Sequence, residues 1–264
     1  MDYKKVNTKA PEVRMKSPPF SFLAEGPMAL FTMPMSKLNG ERYTYSIPTY
    51  GALKGLVSNI YWKPTIMWVI DAVRVMNPIE YETFSVLDRY DGRYLDKDGQ
   101  DIHGCVALRD VAYQVKCHFE WNTNQTDMMQ DRRWGKHIAL VNRSIEIGGR
   151  FQTFLGTSEC PCFITPCKFG EGTSAFDDVP EMDPGYMFHS FIYPNEDLGH
   201  RFGNNMAKAF WHPVMKNGVI EFCRPEECSE IEIVRAAEPV IFENKKNNSV
   251  KPYSEALKYK ENVA

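Results

Sequence analysis

The sequence contains no G-x-x-x-x-G-K-[ST], G-x-G-x-x-G, H-E-x-x-H or G-x-S-x-G. It therefore offers no P-loop to cradle phosphates, no dinucleotide fingerprint, no zincin helix and no nucleophile elbow. It also lacks an acidic cluster spaced to hold a pair of magnesium ions. If the chain is an enzyme, it must work with Lys, His and Tyr rather than with a metal or a nucleotide cofactor, so neither is expected. No apolar run approaches the roughly 20 residues that a bilayer-crossing helix needs, so no membrane partner is expected. The N-terminal MDYKKVNTKAPEVRMKSPP lacks the apolar core of a secretory signal, which makes a bacterial or archaeal cytoplasm the expected location. No C-x-x-C occurs among the 7 cysteines. Cys160, Cys162 and Cys167 cluster, and Cys223 and Cys228 form a looser pair, but neither spacing fits a zinc ribbon or a redox motif. Reduced, structural cysteines are the expectation, with a metal module at Cys160, Cys162 and Cys167 as the rival.

What is present is ordinary for a globular protein: 43% hydrophobic and 25% charged residues over 264 positions, enough to bury a substantial core. The net charge of −3 is unevenly spread. Residues 1–150 carry 20 Lys and Arg against 17 Asp and Glu, and residues 151–264 carry 11 against 17. The basic excess concentrates in 132–150, where Arg132, Arg133, Lys136, Arg143 and Arg150 face only Glu146. Such a patch attracts phosphate even on a slightly acidic molecule. On charge alone, a solvated helix face reads the same way.

Along the chain, FSFLAEGPMALFT (20–32) reads as a strand interrupted near Gly26-Pro27. Residues 49–60 have helical spacing, with Thr49 as N-cap and Leu53, Leu56, Val57 and Ile60 on one face. IMWVIDAVRVM (66–76) and IEYETFSVL (79–87) read as strands, and the Asp/Gly-rich 88–101 as a loop. CVALRDVAYQVKCHFEW (105–121) reads as the best strand in the chain, with Val111, Tyr113, Val115, Cys117 and Phe119 on one face and Lys116, His118 and Glu120 on the other. A second helix is expected from about Lys136 to Ile147, stopped by Gly148-Gly149, with FQTFL (151–155) as the closing strand.

This is the β-α-β-β-α-β order of a ferredoxin-like, RNA-recognition-motif-like domain with one extra arm. After about 157 the strands shorten, and Asn217-Gly218 signals a hairpin. The expected fold class is α+β, with a ferredoxin-like domain over 20–157 and a small antiparallel β domain over 158–243. An N-terminal extension (1–19) and a polar tail (244–264) flank them.

Two basic pairs are candidates for chemistry. Lys136-His137 follows Gly135 at the expected start of the second helix, where unpaired N–H groups favour a phosphate. Lys supplies charge to a phosphorane, and histidine passes protons near neutral pH. The competing reading is a histidine that merely packs at a helix start. Lys116 and His118, on one strand face, are the weaker pair, because a strand centre offers no phosphate-binding backbone comparable to a helix end. Tyr61, in NIYWKP, sits at a helix-to-strand corner with Trp62, Lys63 and Pro64. A tyrosine there is either core or a rigidly held phenol.

The stretch FTMPMSKLNGERYTYSIPTYGALKGLVSNIYWKPTIMWVIDAVRVMNPI resembles the opening of the subtype I-C Cas-five proteins of CRISPR systems. The resemblance continues through LRDVAYQVKCHFEW, GKHIALVNRSIEIGGR and FLGTSECPCFITPCKFG to VMKNGVIEFCRPEEC and EPVIF, covering about 20–243. It implies an endoribonuclease that cuts the repeat hairpins of precursor CRISPR RNA without metal. The family's tyrosine of Y-W-K-P and Lys-His of G-K-H fall on Tyr61, Lys136 and His137. It further implies that the protein stays on the 5′ handle of the mature guide RNA and joins the large and backbone subunits of Cascade. Most other Cas-five branches keep only that scaffold role, which is the rival reading. The expected RNA-binding residues are Lys63, Arg132, Arg133, Arg143 and Arg150.

Overall fold

The longest alternating segment becomes the spine of the molecule. In the computed structural model, which describes residues 15–34, 36, 41–88 and 101–242 (backbone alone at 86–88 and 101–103), β5 runs from Asp101 to Trp121. Val111, Tyr113, Val115, Cys117 and Phe119 are all buried, as the alternation requires. β5 pairs antiparallel with β1 (Phe20–Ala29), β3 (Ile66–Val75) and β4 (Glu80–Asp88), and parallel with the short β2 (Arg42–Tyr43). Residues 1–14 of the expected extension, 89–100 of the expected loop, residue 243 and the whole of the expected tail (244–264) lie outside the described residues.

β1 is not interrupted at Gly26-Pro27. Its ladder with β5 passes from Gly26 opposite Val111 to Met28 opposite Arg109, skipping Pro27, which has no N–H to give. Gly26 is required there, because a Cβ would sit 2.8 Å from the Pro161 carbonyl oxygen.

Helix α1 (Tyr50–Ile60) starts as expected: the Thr49 hydroxyl accepts from the Ala52 N–H at 3.2 Å, and Leu53, Leu56, Val57 and Ile60 are buried. Helix α2 (Trp134–Glu146) begins two residues before Lys136, with Arg133 as N-cap. It stops at Gly148 and Gly149, both at positive φ, whose N–H groups donate to Ile145 and Ser144 carbonyls.

The closing strand lies later than the sequence suggests. FQTFL forms no strand; Phe154 makes a single isolated bridge to Pro161. Its backbone groups are engaged elsewhere: Leu155 N–H donates to the Cys160 carbonyl, and the Leu155 carbonyl accepts from the Leu30 N–H. The strand that closes on β1 is β6 (Phe163–Pro166). β7 (Met187–Ile192), β8 (Asn205–Trp211) and β11 (Glu230–Ala236), the last not anticipated, form a three-stranded sheet in the order β11-β8-β7. β9 (Met215–Lys216) and β10 (Val219–Glu221) are joined at Asn217 and Gly218, both at positive φ, as the hairpin signal required. They extend the large sheet, whose order is β6-β1-β5-β3-β10-β9. The chain after 157 thus contributes strands to both sheets. No helix among the described residues is long and apolar enough to cross a membrane.

Candidate active site

The C-terminal end of α1 and the first turn of α2 meet over the sheet, and Tyr61 and His137 meet between them. Tyr61 is the first residue beyond α1, in extended conformation. The Trp68 indole N–H donates to its carbonyl at 2.7 Å, fixing the corner. The Tyr61 hydroxyl lies 2.8 Å from His137 Nδ1, and His137 Nε2 lies 2.8 Å from the backbone carbonyl of Asp131. A carbonyl only accepts, so Nε2 carries the ring hydrogen and Nδ1 presents a lone pair to the phenol. Both side chains are fully buried. Trp121 and Phe119 face the imidazole edge-on, at 5.4 and 6.2 Å between ring centres.

Asp131 organises the charges. Its carboxylate accepts from Lys136 and, at 3.1 Å, from the Thr65 hydroxyl. It also stands 3.3 Å from His137 Nε2. Burial acts to raise the Asp131 carboxyl, but the hydrogen bonds from Lys136 and Thr65 and the neighbouring charge hold it below the usual carboxylate range. Above the phenol, the Arg150 guanidinium stacks 4.5 Å from the Tyr61 ring centre, and its Nε donates to Ser144 Oγ at 3.1 Å. Burial pushes the Tyr61 phenol up to about 12, with Arg150 opposing the shift and Asp131 adding to it. Tyr61 is therefore a neutral hydroxyl near neutral pH, not a phenolate, and Lys136 is bonded to Asp131 rather than to the phenol.

Tyr61, Lys136, His137 and Arg150 thus come together. Arg133 is exposed at the start of α2, and Arg143, seven residues beyond Lys136, is exposed about two turns along the same helix. Lys63 is half-buried two residues past Tyr61. Arg132 departs from expectation as an RNA ligand: its guanidinium turns inward and donates to the carbonyls of Asn122 and Gln125, both at 2.9 Å, tying the end of β5 to the turn before α2. The weaker pair also separates. Lys116 lies over the Phe169 ring at 5.8 Å. His118 bonds the Asp71 carboxylate at 2.8 Å and approaches Glu120, which pairs with Arg224.

Sequence reasoning missed Asp131. It stands directly before the basic stretch, and that adjacency was the available signal. Trp68 and Trp121, separated in sequence, gave none.

His118 supplies a pH test. Burial lowers its pKa, but Asp71 and Glu120 outweigh that and raise it above the ordinary 6.5. The stabilisation is therefore full below about pH 6.5 and fades as pH rises through the folded-state value. His118→Asn should lower Tm more at pH 5.5 than at pH 8.5 in thermal scans. An equal loss at both would contradict the ion pair.

Comparison with known proteins agrees with the α+β architecture. The model of a family described as CRISPR-associated protein (Cas_Cas5), of the Cas5d type, matches residues 21–223. The CRISPR pre-crRNA endoribonuclease Cas5d of Mannheimia succiniciproducens is 28% identical over 221 residues, covering 74% of this chain and 91% of that protein. Its namesake from Thermus thermophilus is 27% identical over 210 residues, covering 74% and 87%. A crystal structure of a CRISPR-associated protein superposes with a TM-score of 0.67 at 34% identity, covering 84% of this chain and 100% of the other. A functionally uncharacterized protein from Streptococcus mutans does so at 36% identity, with the same TM-score and coverage of 83% and 99%. The class is that of the CRISPR-associated Cas5 proteins. Within it, this chain belongs to the Cas5d family.

Proposed function

We propose that this chain is the endoribonuclease that cuts the repeat hairpin of precursor CRISPR RNA. It uses the RNA's own 2′-hydroxyl, leaves a 2′,3′-cyclic phosphate and a 5′-hydroxyl, and then stays on the 5′ handle as a subunit of Cascade beside its large and backbone subunits. The observation that carries this is the hydrogen bond from Tyr61 to His137 Nδ1, in a fixed tautomer, under Lys136 and Arg150. The names of the two curated relatives support the same activity. The first, third, second and fourth strands of a ferredoxin-like unit correspond to β1, β5, β3 and β6, and their spatial order β6-β1-β5-β3 supports that assignment for the N-terminal part. The sheet of β7, β8 and β11 is then the core of the small β domain.

In this mechanism Tyr61 and His137 act in series rather than at opposite ends of the reaction. The 2′-hydroxyl passes its proton to the Tyr61 oxygen as Tyr61 passes its own to His137 Nδ1. The imidazolium that forms faces the Asp131 carboxylate, 3.3 Å away. The O2′–P bond forms and the P–O5′ bond breaks. Lys136 and Arg150 neutralise the phosphorane, and the Lys136 ammonium gives the leaving 5′ oxygen its proton. In the free protein Asp131 holds Lys136 and Arg150 covers Tyr61; an incoming phosphate competes for both cations and uncovers the phenol. No step calls for a metal.

The experiment is incubation of purified protein with labelled repeat RNA in EDTA. Cleavage at one bond near the hairpin base supports the enzyme, and binding without cleavage supports the scaffold reading. Asp131→Asn should slow single-turnover cutting about 10²-fold, at the low end for acid–base groups, with binding unweakened because Lys136 is released. A variant that cuts at the normal rate would remove Asp131 from the scheme.

RNA binding should depend strongly on salt. Four exposed cations, Arg133, Lys136, Arg143 and Arg150, predict a slope of log affinity against log salt of about −3. A flat dependence between low and moderate salt would place the RNA elsewhere. Replacing Arg143 by Ala should weaken binding and leave cleavage at saturating protein near wild type.

A further inference from the structure

Cys223 and Cys228 bracket the turn that leads from β10 towards β11, and that turn folds back against β7, which carries His189. The two sulfurs are 3.8 Å apart, and one donor atom from each of the three residues lies within 4.8 Å of the others. Among the described residues this is the one group of three or more His, Cys, Asp or Glu donors arranged in this way. A tetrahedral zinc ion with zinc–sulfur bonds of about 2.3 Å requires its two sulfurs to stand about 3.8 Å apart. The observed spacing therefore suits a shared zinc ion without rearrangement. A disulfide would need the sulfurs to close to about 2.05 Å.

The histidine is oriented as a ligand would be. Its Nε2 faces the cysteine turn and donates to the Cys223 carbonyl at 3.2 Å, a hydrogen it would have to give up to bind an ion; the buried Ser190 hydroxyl, 2.9 Å from Nδ1, would then accept from Nδ1–H. Metal-bound histidines are characteristically fixed in this way, by a hydrogen bond at the nitrogen that does not bind the metal. Tyr50 stacks on the ring at 4.5 Å and Trp211 meets its edge at 5.2 Å, so its direction is set before any ion arrives.

We propose that His189, Cys223 and Cys228 form a zinc site that staples the turn after β10 to β7, and so ties the large sheet to the three-stranded one. Two thiolates and an imidazole select a soft or borderline cation such as zinc over magnesium or calcium, and three protein donors leave the fourth position for water. The site lies at the Tyr50 end of α1, whereas Tyr61 follows the other end. An 11-residue helix places them about 16 Å apart, so this ion takes no part in the chemistry proposed above. The cysteine cluster weighed from the sequence does not serve: Cys160 and Cys162 pack into two different hydrophobic clusters.

The test is to purify the full chain under reducing conditions from zinc-supplemented cells and measure bound metal. About one zinc per chain is expected in the wild type and in Cys167→Ser, and close to none in Cys228→Ser. Cobalt substituted for zinc should give thiolate-to-cobalt charge-transfer absorption that weakens in Cys228→Ser. A strong chelator should lower the wild-type Tm and leave that of Cys228→Ser unchanged, a comparison that needs only enough folded variant for a melt. The proposal is overturned if the reduced wild type holds no zinc and shows no cobalt charge-transfer band. It is equally overturned if Cys228→Ser keeps its zinc, or if the two thiols are found as a disulfide in zinc-free protein of unchanged stability.

Discussion

Tyr61→Phe should slow cleavage of repeat RNA by about 10²–10⁴-fold, the range for a positioned acid–base group, with the dissociation constant unchanged. The substitution keeps the ring that packs at the corner after α1 and keeps the bond from Trp68 to the residue 61 carbonyl. It removes only the hydroxyl that donates to His137 Nδ1. The unpaired imidazole nitrogen then costs about 1–3 kcal/mol, which lowers Tm without unfolding the chain. Single-turnover kinetics at saturating protein separate the chemical defect from binding. His137→Ala should give a similar defect, and the wild type should fail on RNA with one 2′-deoxy sugar just upstream of the cut. Cleavage of that RNA at the same bond would make water the nucleophile and end the mechanism. Because burial pushes the Tyr61 phenol up to about 12, it stays protonated as pH passes the ordinary tyrosine value of 10. The rate profile should therefore show no rise near pH 10.

Phe119→Ala should be the most destabilising single change at the site. Phe119 stacks on Trp134 at 5.4 Å and on Phe20 at 6.0 Å, and it touches Trp68, Trp121 and His137. It therefore joins β1, β3, β5 and α2 at one point. Truncating a buried phenylalanine costs about 3–5 kcal/mol, which for a chain of this size corresponds to a fall in Tm of about 6–20 °C. The loss should reach the chemistry, because Trp134 and His137 share the first turns of α2 and lose the surface that seats them. Cutting measured well below the new Tm should still be impaired. A Tm within 2 °C of wild type would mean that the aromatic cluster does not seat α2.

The helices and the long strands were legible because their signals are local. Thr49 caps α1, Gly148 and Gly149 end α2, and the alternation from Val111 to Phe119 marks β5. The strand expected at 151–155 failed for a reason that locality cannot reach. FQTFL has strand composition, yet its Leu155 N–H is taken by Cys160 in the following turn and its Leu155 carbonyl by Leu30, which only the folded chain brings near. β11 was overlooked although Ile231 and Ile233 alternate with Glu230 and Glu232; it is a short, mostly exposed edge strand in which Ile231 packs against the cluster of Ile192, Ala207 and Ala209.

At the site, residue types and spacing offered Lys136-His137 at a helix start, Tyr61 at a corner and the basic stretch as candidates, and the family resemblance singled out Tyr61, Lys136 and His137. Only the tertiary structure decided how they are used. It set the tautomer of His137 through the Asp131 carbonyl, turned Arg132 inward to two carbonyls, laid Arg150 over the phenol, and raised the Tyr61 phenol by burial. Each of these depends on which groups meet across 6 to 89 residues of chain and on how much water they lose when they meet. Sequence pattern records which residues are available for such meetings. The dielectric and the hydrogen-bond partner that each one finds exist only once the sheet and the two helices have closed around them.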